Sequence, residues 1–287
     1  MKGSGKDKAE KKASKKPRRR ILRSILIVLA AVAVALALGI HIYASGYYHA
    51  EPEAQEALAS TTDVTVTTLD SGDVLFVPKN ADAAFVFYPG GKVEATAYAP
   101  LLARLADRGV ACVLVKMPEN LAVLAPNAAD YARPELEEAL SDTGEDSSAL
   151  PWLIGGHSLG GAMAGSYVAG HEESYRGLVL LGAYETSDIS SSSLSVLLMY
   201  GEHDGVLNRT KYEECLKNLP SGYTELIIPG GVHSYFGSYG LQEGEGTPEI
   251  TNAEQLDFAA SAIADFAGTL SLTLPTAEAG GFSLRRR

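Results

Sequence analysis

The sequence predicts an α/β fold, a mostly parallel sheet with helices on both faces, preceded by one transmembrane helix. Three observations predict it. From residue 83 onward, short runs that are apolar throughout alternate with helix-periodic segments, the pattern of strands buried on both faces and joined by crossover helices. Near the start, Ile25 to Ile40 is apolar apart from small residues. The chain has 287 residues, 46% of them hydrophobic, which supplies a large core and excludes disorder over most of its length.

The formal net charge of -11 hides two segments of opposite sign. Residues 1 to 24 hold 11 Lys+Arg against 2 Asp+Glu, and the remainder carries 13 against 33. So acidic a body repels phosphates and argues against a nucleic-acid partner. The basic segment 1–20 is poor in apolar residues and is expected to be disordered. With Ile21, Leu22, Ile42 and Tyr43, the apolar run at 21–43 reaches about 20 residues, enough to cross ~30 Å of hydrocarbon. Its cationic flank predicts a cytoplasmic N-terminus, and Tyr43, Tyr47 and Tyr48 suit the opposite interface. The body then lies outside the cytoplasm. A signal peptide cleaved after Ala44-Ser45-Gly46 is the competing reading.

Residues 44–60 read as a linker or short juxtamembrane helix. Val64 to Leu69 and Val74 to Pro78 suit a hairpin turning at Asp70-Ser71-Gly72. Ala83 to Tyr88 is a buried strand ending in Pro89-Gly90-Gly91, Tyr98 to Arg108 has helical spacing, and Val110 to Val115 is strand again. Between Lys116 and Leu150, Pro118, Pro126 and Pro134 are expected to break the chain into short helical pieces. Strands follow at Gly177 to Leu181, Leu194 to Tyr200 and Thr224 to Ile228, with helices at Arg209 to Asn218 and Asn252 to Gly268. The tail, 271–287, has no apolar periodicity and is read as mobile.

In a sheet of this kind, ligands bind beyond the C-terminal ends of the strands, and the motifs fall there. Gly156-His157-Ser158-Leu159-Gly160 spells G-x-S-x-G, a nucleophile elbow that lifts a serine above the sheet. The glycines omit Cβ atoms that so tight a turn would crowd. A serine needs a base, and the base a carboxylate to orient it. Asp204 follows the strand LSVLLMYG and His233 follows TELIIPGG, giving the order Ser158, Asp204, His233. His203 competes for the base, and Asp188 and then Glu202 for the acid. His41, His49, His157 and His171 are poorer candidates, the first two because they flank the membrane segment. Oxyanion donors are expected from the N–H of Leu159, at a helix N-terminus, and from Gly91.

On the stretches FYPGGKVEATAYAPLLARLADRGV, VKMPENLAVL, GGHSLGGAMA, YGEHDG and GGVHSYFGSYG, spread over roughly residues 60 to 270, the sequence resembles the α/β-hydrolases, and among them the small bacterial fold-5 type. The resemblance implies an eight-stranded sheet over a domain at 61–270. It carries nucleophile, acid and base onto Ser158, Asp204 and His233, and supplies no substrate. Many such proteins insert a cap after the strand ending at Leu181, but Gly182 to Ser193 is too short for one. The site is then either open or covered only by Leu121 to Asp130 and the aromatics Tyr235, Phe236 and Tyr239. These aromatics either line a pocket or pack their loop onto the last helix. Lys92, Glu94 and Lys116 form a polar rim or plain surface charge. In the implied strand order the strands assigned to Cys112 and Cys215 are four spacings apart, about 19 Å, beyond disulfide reach, and the two are read as free, mostly buried thiols.

The expected function is hydrolysis of a small carboxylic ester through an acyl-enzyme, without metal or cofactor. Peptidase, thioesterase and acyltransferase activities use the same residues, and a non-catalytic cell-envelope binder is the alternative of a different class.

Overall fold

A computed structural model of the chain describes residues 6–271, with side chains described from Ile21 onward. It comprises two compact units, one reaching Gly46 and the other beginning at Tyr47.

The first unit is a single helix, α1 (Lys6–Ala44). Its apolar part, Ile21–Ala44, has 24 residues, about 36 Å at 1.5 Å per residue and so long enough to span a bilayer core. Its large apolar side chains, Leu26, Ile27 and Leu36 among them, are exposed. The segment expected to be disordered is helical from Lys6 onward. Lysine, alanine and arginine are good helix formers, and extending an existing helix avoids the cost of nucleating one. The tail from Leu272 lies outside the described residues.

In the second unit, the stretch expected to be a linker is packed. Tyr48 bridges to Val93 and its ring meets Tyr239 at 5.7 Å, while the short α2 (Pro52–Glu56) buries Ala54. The body therefore begins before residue 61. Its sheet has eight strands: β1 (Val64–Thr68), β2 (Val74–Pro78), β3 (Ala83–Tyr88), β4 (Val110–Leu114), β5 (Trp152–His157), β6 (Gly177–Leu181), β7 (Ser195–Gly201) and β8 (Thr224–Ile228). They are ordered β1-β2-β4-β3-β5-β6-β7-β8. β2 runs antiparallel to β1 and β4, and every other pairing is parallel.

The period of two along each strand divides the core into two layers. Phe85 and Phe87 of β3, with Cys112 and Leu114 of β4, face α3 (Ala99–Ala106) and α7 (Asn252–Ser271) through Leu101, Leu102, Leu256 and Ile263. Val86 and Tyr88, with Ala111 and Val113, face α4 (Ala129–Asp142), α5 (Leu159–Val168) and α6 (Arg209–Cys215) through Leu136, Leu140, Val168 and Tyr212.

One helix corrects the sequence reading. α4 runs straight through Pro134, where a break was expected. A proline inside a helix costs about 3 kcal/mol, but the stripe Ala129, Ala132, Leu136 and Leu140 is fully buried, and each leucine contributes about 1.5–3 kcal/mol. Burial of one face outweighs the lost hydrogen bond.

The strand order positions the site. From β3 the chain adds β4 on one side and β5 on the other, so connections leave in opposite directions and open a crevice at the strand C-termini. The ends of β3, β5, β6, β7 and β8 all border that crevice.

Candidate active site

Ser158 occupies the turn from β5 into α5 with φ 51° and ψ -123°. A left-handed φ is costly for a serine, so the strain falls on the serine itself and not on the flanking glycines. Those glycines serve close approach: a Cβ on Gly156 would strike the carbonyl of Tyr88, and one on Gly160 the carbonyls of Tyr88 and Pro89. The Ser158 N–H still donates to Leu181 O at 2.9 Å, which anchors the turn to β6.

Parallel pairing brings Asp204 and His233 together. Gly201 of β7 is in register with Ile228 of β8, and beyond the strands the His203 N–H donates to Gly231 O at 2.8 Å. Asp204 and His233 then meet: His233 Nδ1 lies 2.8 Å from Asp204 Oδ2, with both side chains buried. The other oxygen of Asp204 accepts from the N–H groups of Val206 and Leu207 at 2.9 and 2.8 Å. A carboxylate only accepts, so the shared proton sits on Nδ1, and in the neutral imidazole Nε2 carries the lone pair. That nitrogen is buried and unpartnered.

Ser158 and His233 line one cavity of about 360 Å³ together with Leu159, Ala162, Met163, Ala183, Tyr184 and Leu207, among others. The structure places them at one site without a hydrogen bond between Ser158 Oγ and His233 Nε2, and such bonds are often long in unliganded sites. Leu159 opens α5, where the first N–H groups have no intrahelical acceptor. Gly91 packs against its side chain. The Gly90 N–H donates to Tyr98 Oη at 3.1 Å, whereas the Gly91 N–H meets no acceptor among the described residues.

The competing residues have other partners. Asp188 accepts from the N–H and hydroxyl of Ser190, and Glu202 accepts from the Gly230 N–H. His203 faces Glu249 at 3.5 Å, His171 stacks on Tyr167, and His49 lies 3.4 Å from Glu94. Tyr239 and Phe236 are buried, with Tyr239 against Tyr98 and Phe236 against His157. Asn252 of α7 donates to the carbonyls of Tyr235 and Gly237. The aromatic loop thus packs onto the last helix and does not line the cavity. Glu94 accepts from Ala50 and Thr96, and neither it, Lys92 nor Lys116 lines the Ser158 cavity. The thiols of Cys112 and Cys215 are free.

Sequence reasoning missed three residues that shape the site. Gly182 has φ 52°, and a Cβ there would come within 2.8 Å of His233 Nδ1, so only glycine leaves room for the imidazole in that conformation. A glycine after an apolar strand was the available signal. Tyr98 Oη meets His157 Nδ1 at 2.8 Å and accepts from the Gly90 N–H, and so ties the β3 loop to the end of β5. The His157 ring lies 4.4 Å from that of His233. Burial, reinforced by His233, pushes the His157 imidazole well below the usual histidine range, leaving it neutral beside the second ring. Gln255 of α7 accepts from the Val232 N–H and donates to the Val232 carbonyl at 2.9 and 2.7 Å, pinning the residue before His233. Neither Tyr98 nor Gln255 carries a local sequence mark.

The family model of the alpha/beta hydrolases matches residues 84–257, and the chain belongs to that family. Its fold is similar to a monoglyceride lipase from Saccharomyces cerevisiae (TM-score 0.52, 10% identity, covering 74% of this chain and 97% of that one). It is also similar to carboxyl esterase 2 of the mycorrhizal fungus Tuber melanosporum (0.53, 13%, 80% and 91%) and to a sugar hydrolase from Lactococcus lactis (0.53, 12%, 74% and 100%). No curated protein matches the sequence. At these identities the structural likeness concerns the fold.

Proposed function

We propose that the protein is a membrane-anchored, extracytoplasmic serine hydrolase that cleaves small carboxylic esters through an acyl-enzyme. The observation that carries this reading is the buried His233–Asp204 hydrogen bond, made by a histidine that lines the same cavity as Ser158. Family membership supports hydrolysis as the chemistry.

In this reading His233 Nε2 takes the Ser158 proton as Oγ attacks the ester carbonyl. Asp204 holds the imidazole in the required tautomer and offsets its positive charge. The oxyanion receives N–H groups from Leu159 and Gly91, each worth about 3 kcal/mol in the transition state. The tetrahedral adduct collapses, its C–O bond breaks, and His233 returns the proton to the departing alcohol. Water, deprotonated by the same nitrogen, then attacks the acyl-serine and releases the carboxylic acid. A neutral His157 leaves His233 as the one ring of the pair that takes up charge. The apolar lining of Leu159, Ala162, Met163 and Leu207 and the volume of about 360 Å³ suit an acyl group of modest size.

The test is labelling by a fluorophosphonate probe. The full chain is expected to label and Ser158→Ala to lose labelling while staying folded; an unlabelled, folded wild type overturns the reading in favour of a binding protein. For the anchor, the mature N-terminus is expected to lie upstream of Ile21, and a start near Tyr47 replaces the anchor with a cleaved signal.

A further inference from the structure

Glu245 lies in the loop between the short turn after His233 and α7, outside the Ser158 cavity, and its carboxylate joins two loops. Its Oε2 accepts from both the N–H and the hydroxyl of Ser234, the residue after His233, at 2.7 and 2.6 Å. Its Oε1 accepts from the N–H of Gly205, the residue after Asp204, at 3.2 Å. The same oxygen lies 3.3 Å from the N–H of its neighbour Gly246. The buried Ser234 hydroxyl spends its one proton on Glu245 and accepts from the Gln242 N–H at 2.9 Å.

Backbone packing supports the same link. A Cβ on Gly205 would strike the carbonyl of Gly244, and one on Gly246 the carbonyl of His203. The loop at 244–246 therefore lies directly on the segment that carries Asp204. Charge-assisted hydrogen bonds are shorter and stronger than neutral ones, and here one carboxylate receives them from both sides. Parallel pairing of the two parent strands ends at Gly201 and Ile228, and beyond it the backbone joins the two loops through the Glu202 N–H to Ile228 O and His203 N–H to Gly231 O bonds, both ahead of Asp204 and His233.

We infer that Glu245 is a positioning residue that clamps the acid loop to the base loop and so fixes the His233–Asp204 hydrogen bond. It acts through Ser234 and Gly205 and does not touch the reacting atoms. Glutamine retains one accepting oxygen but turns an NH2 donor toward donors already there, so it holds one loop and releases the other. Alanine releases both.

The inference rests on the proposed roles of Asp204 and His233, and two measurements on the full chain in detergent separate the claims. The first is the rate constant of fluorophosphonate labelling per titrated site, so that loss of folded protein lowers the number of sites and not the rate. Glu245→Ala is expected to slow labelling at least tenfold and Glu245→Gln less, and an ester panel is expected to show the loss in kcat with KM nearly unchanged. The second is the NMR signal of the His233 Nδ1 proton, assigned by its loss in His233→Gln. It is expected to be sharp in the wild type and lost or exchange-broadened in folded Glu245→Ala. If both variants label at the wild-type rate per site and keep that signal, the clamp is overturned. If the wild type never labels but the signal still depends on Glu245, the hydrolase reading fails and the clamp stands.

Discussion

The two sides of the site are held by opposite means. Around Ser158, position comes from missing atoms: Gly156 and Gly160 bring backbone against backbone, and the serine absorbs the strained φ. Around His233, Gly182 also makes room for the ring, but polar groups are added to it: Asp204 holds the imidazole, Gln255 holds Val232, and Glu245 bonds to both flanking loops. The Ser158 side is fixed by sterics and tolerates no enlargement. The His233 side depends on hydrogen bonds and tolerates no loss of an acceptor.

Substitutions that exchange the two modes test this contrast. The largest effect is expected at Asp204→Asn. The amide keeps its oxygen toward Val206 and Leu207 and turns its NH2 toward His233, which moves the imidazole proton to Nε2 and blocks general-base action. On the order of a 10⁴-fold loss in kcat is expected with little change in Tm, measured by ester hydrolysis and calorimetry; retention of full activity would remove Asp204 from the mechanism.

Next is Gly160→Ala, whose methyl meets the carbonyls of Tyr88 and Pro89. Overpacking against rigid backbone costs about 3 kcal/mol, or roughly 6–12 °C in Tm for a domain of this size. A thermal midpoint equal to that of the wild type would show that the elbow has room to spare.

Gln255→Leu keeps volume and removes both partners of Val232. Two backbone groups are left without acceptor or donor, at about 1 kcal/mol each at the low end. Labelling of Ser158 is expected to slow together with a fall in Tm of a few degrees, and a change in neither would show that α7 does not position the His233 loop.

The smallest effect is a pH dependence. Folding favours neutral His157, whose folded pKa lies below the usual 6.5. Its contribution is therefore complete above that value and is lost as pH falls through the lower folded value. His157→Gln is expected to flatten the decline of Tm with acid below about pH 6.5. Parallel Tm curves for the two proteins would show that folding does not shift the His157 pKa.

The contrast also explains what could be read early. The elbow was legible because its parts lie within five residues of each other, from Gly156 to Gly160. The order of Asp204 and His233 was legible because each follows an apolar strand directly. The role of Glu245 was not, since its partners lie 11 and 40 residues away. Pro134 misled because a local rule met a buried stripe that overrode it.

The sequence alone determined the parallel sheet, through runs apolar on both faces, and placed Ser158, Asp204 and His233 at strand ends. It also determined the apolar helix at 21–43, through length and composition alone. Tertiary structure decided which histidine meets which carboxylate, that the aromatic loop packs inward, and that residues 48–56 belong to the body. Periodicity and turn chemistry act over a few residues and are written locally. Partnerships between loops depend on strand register and close approach, and these exist only once the sheet has formed.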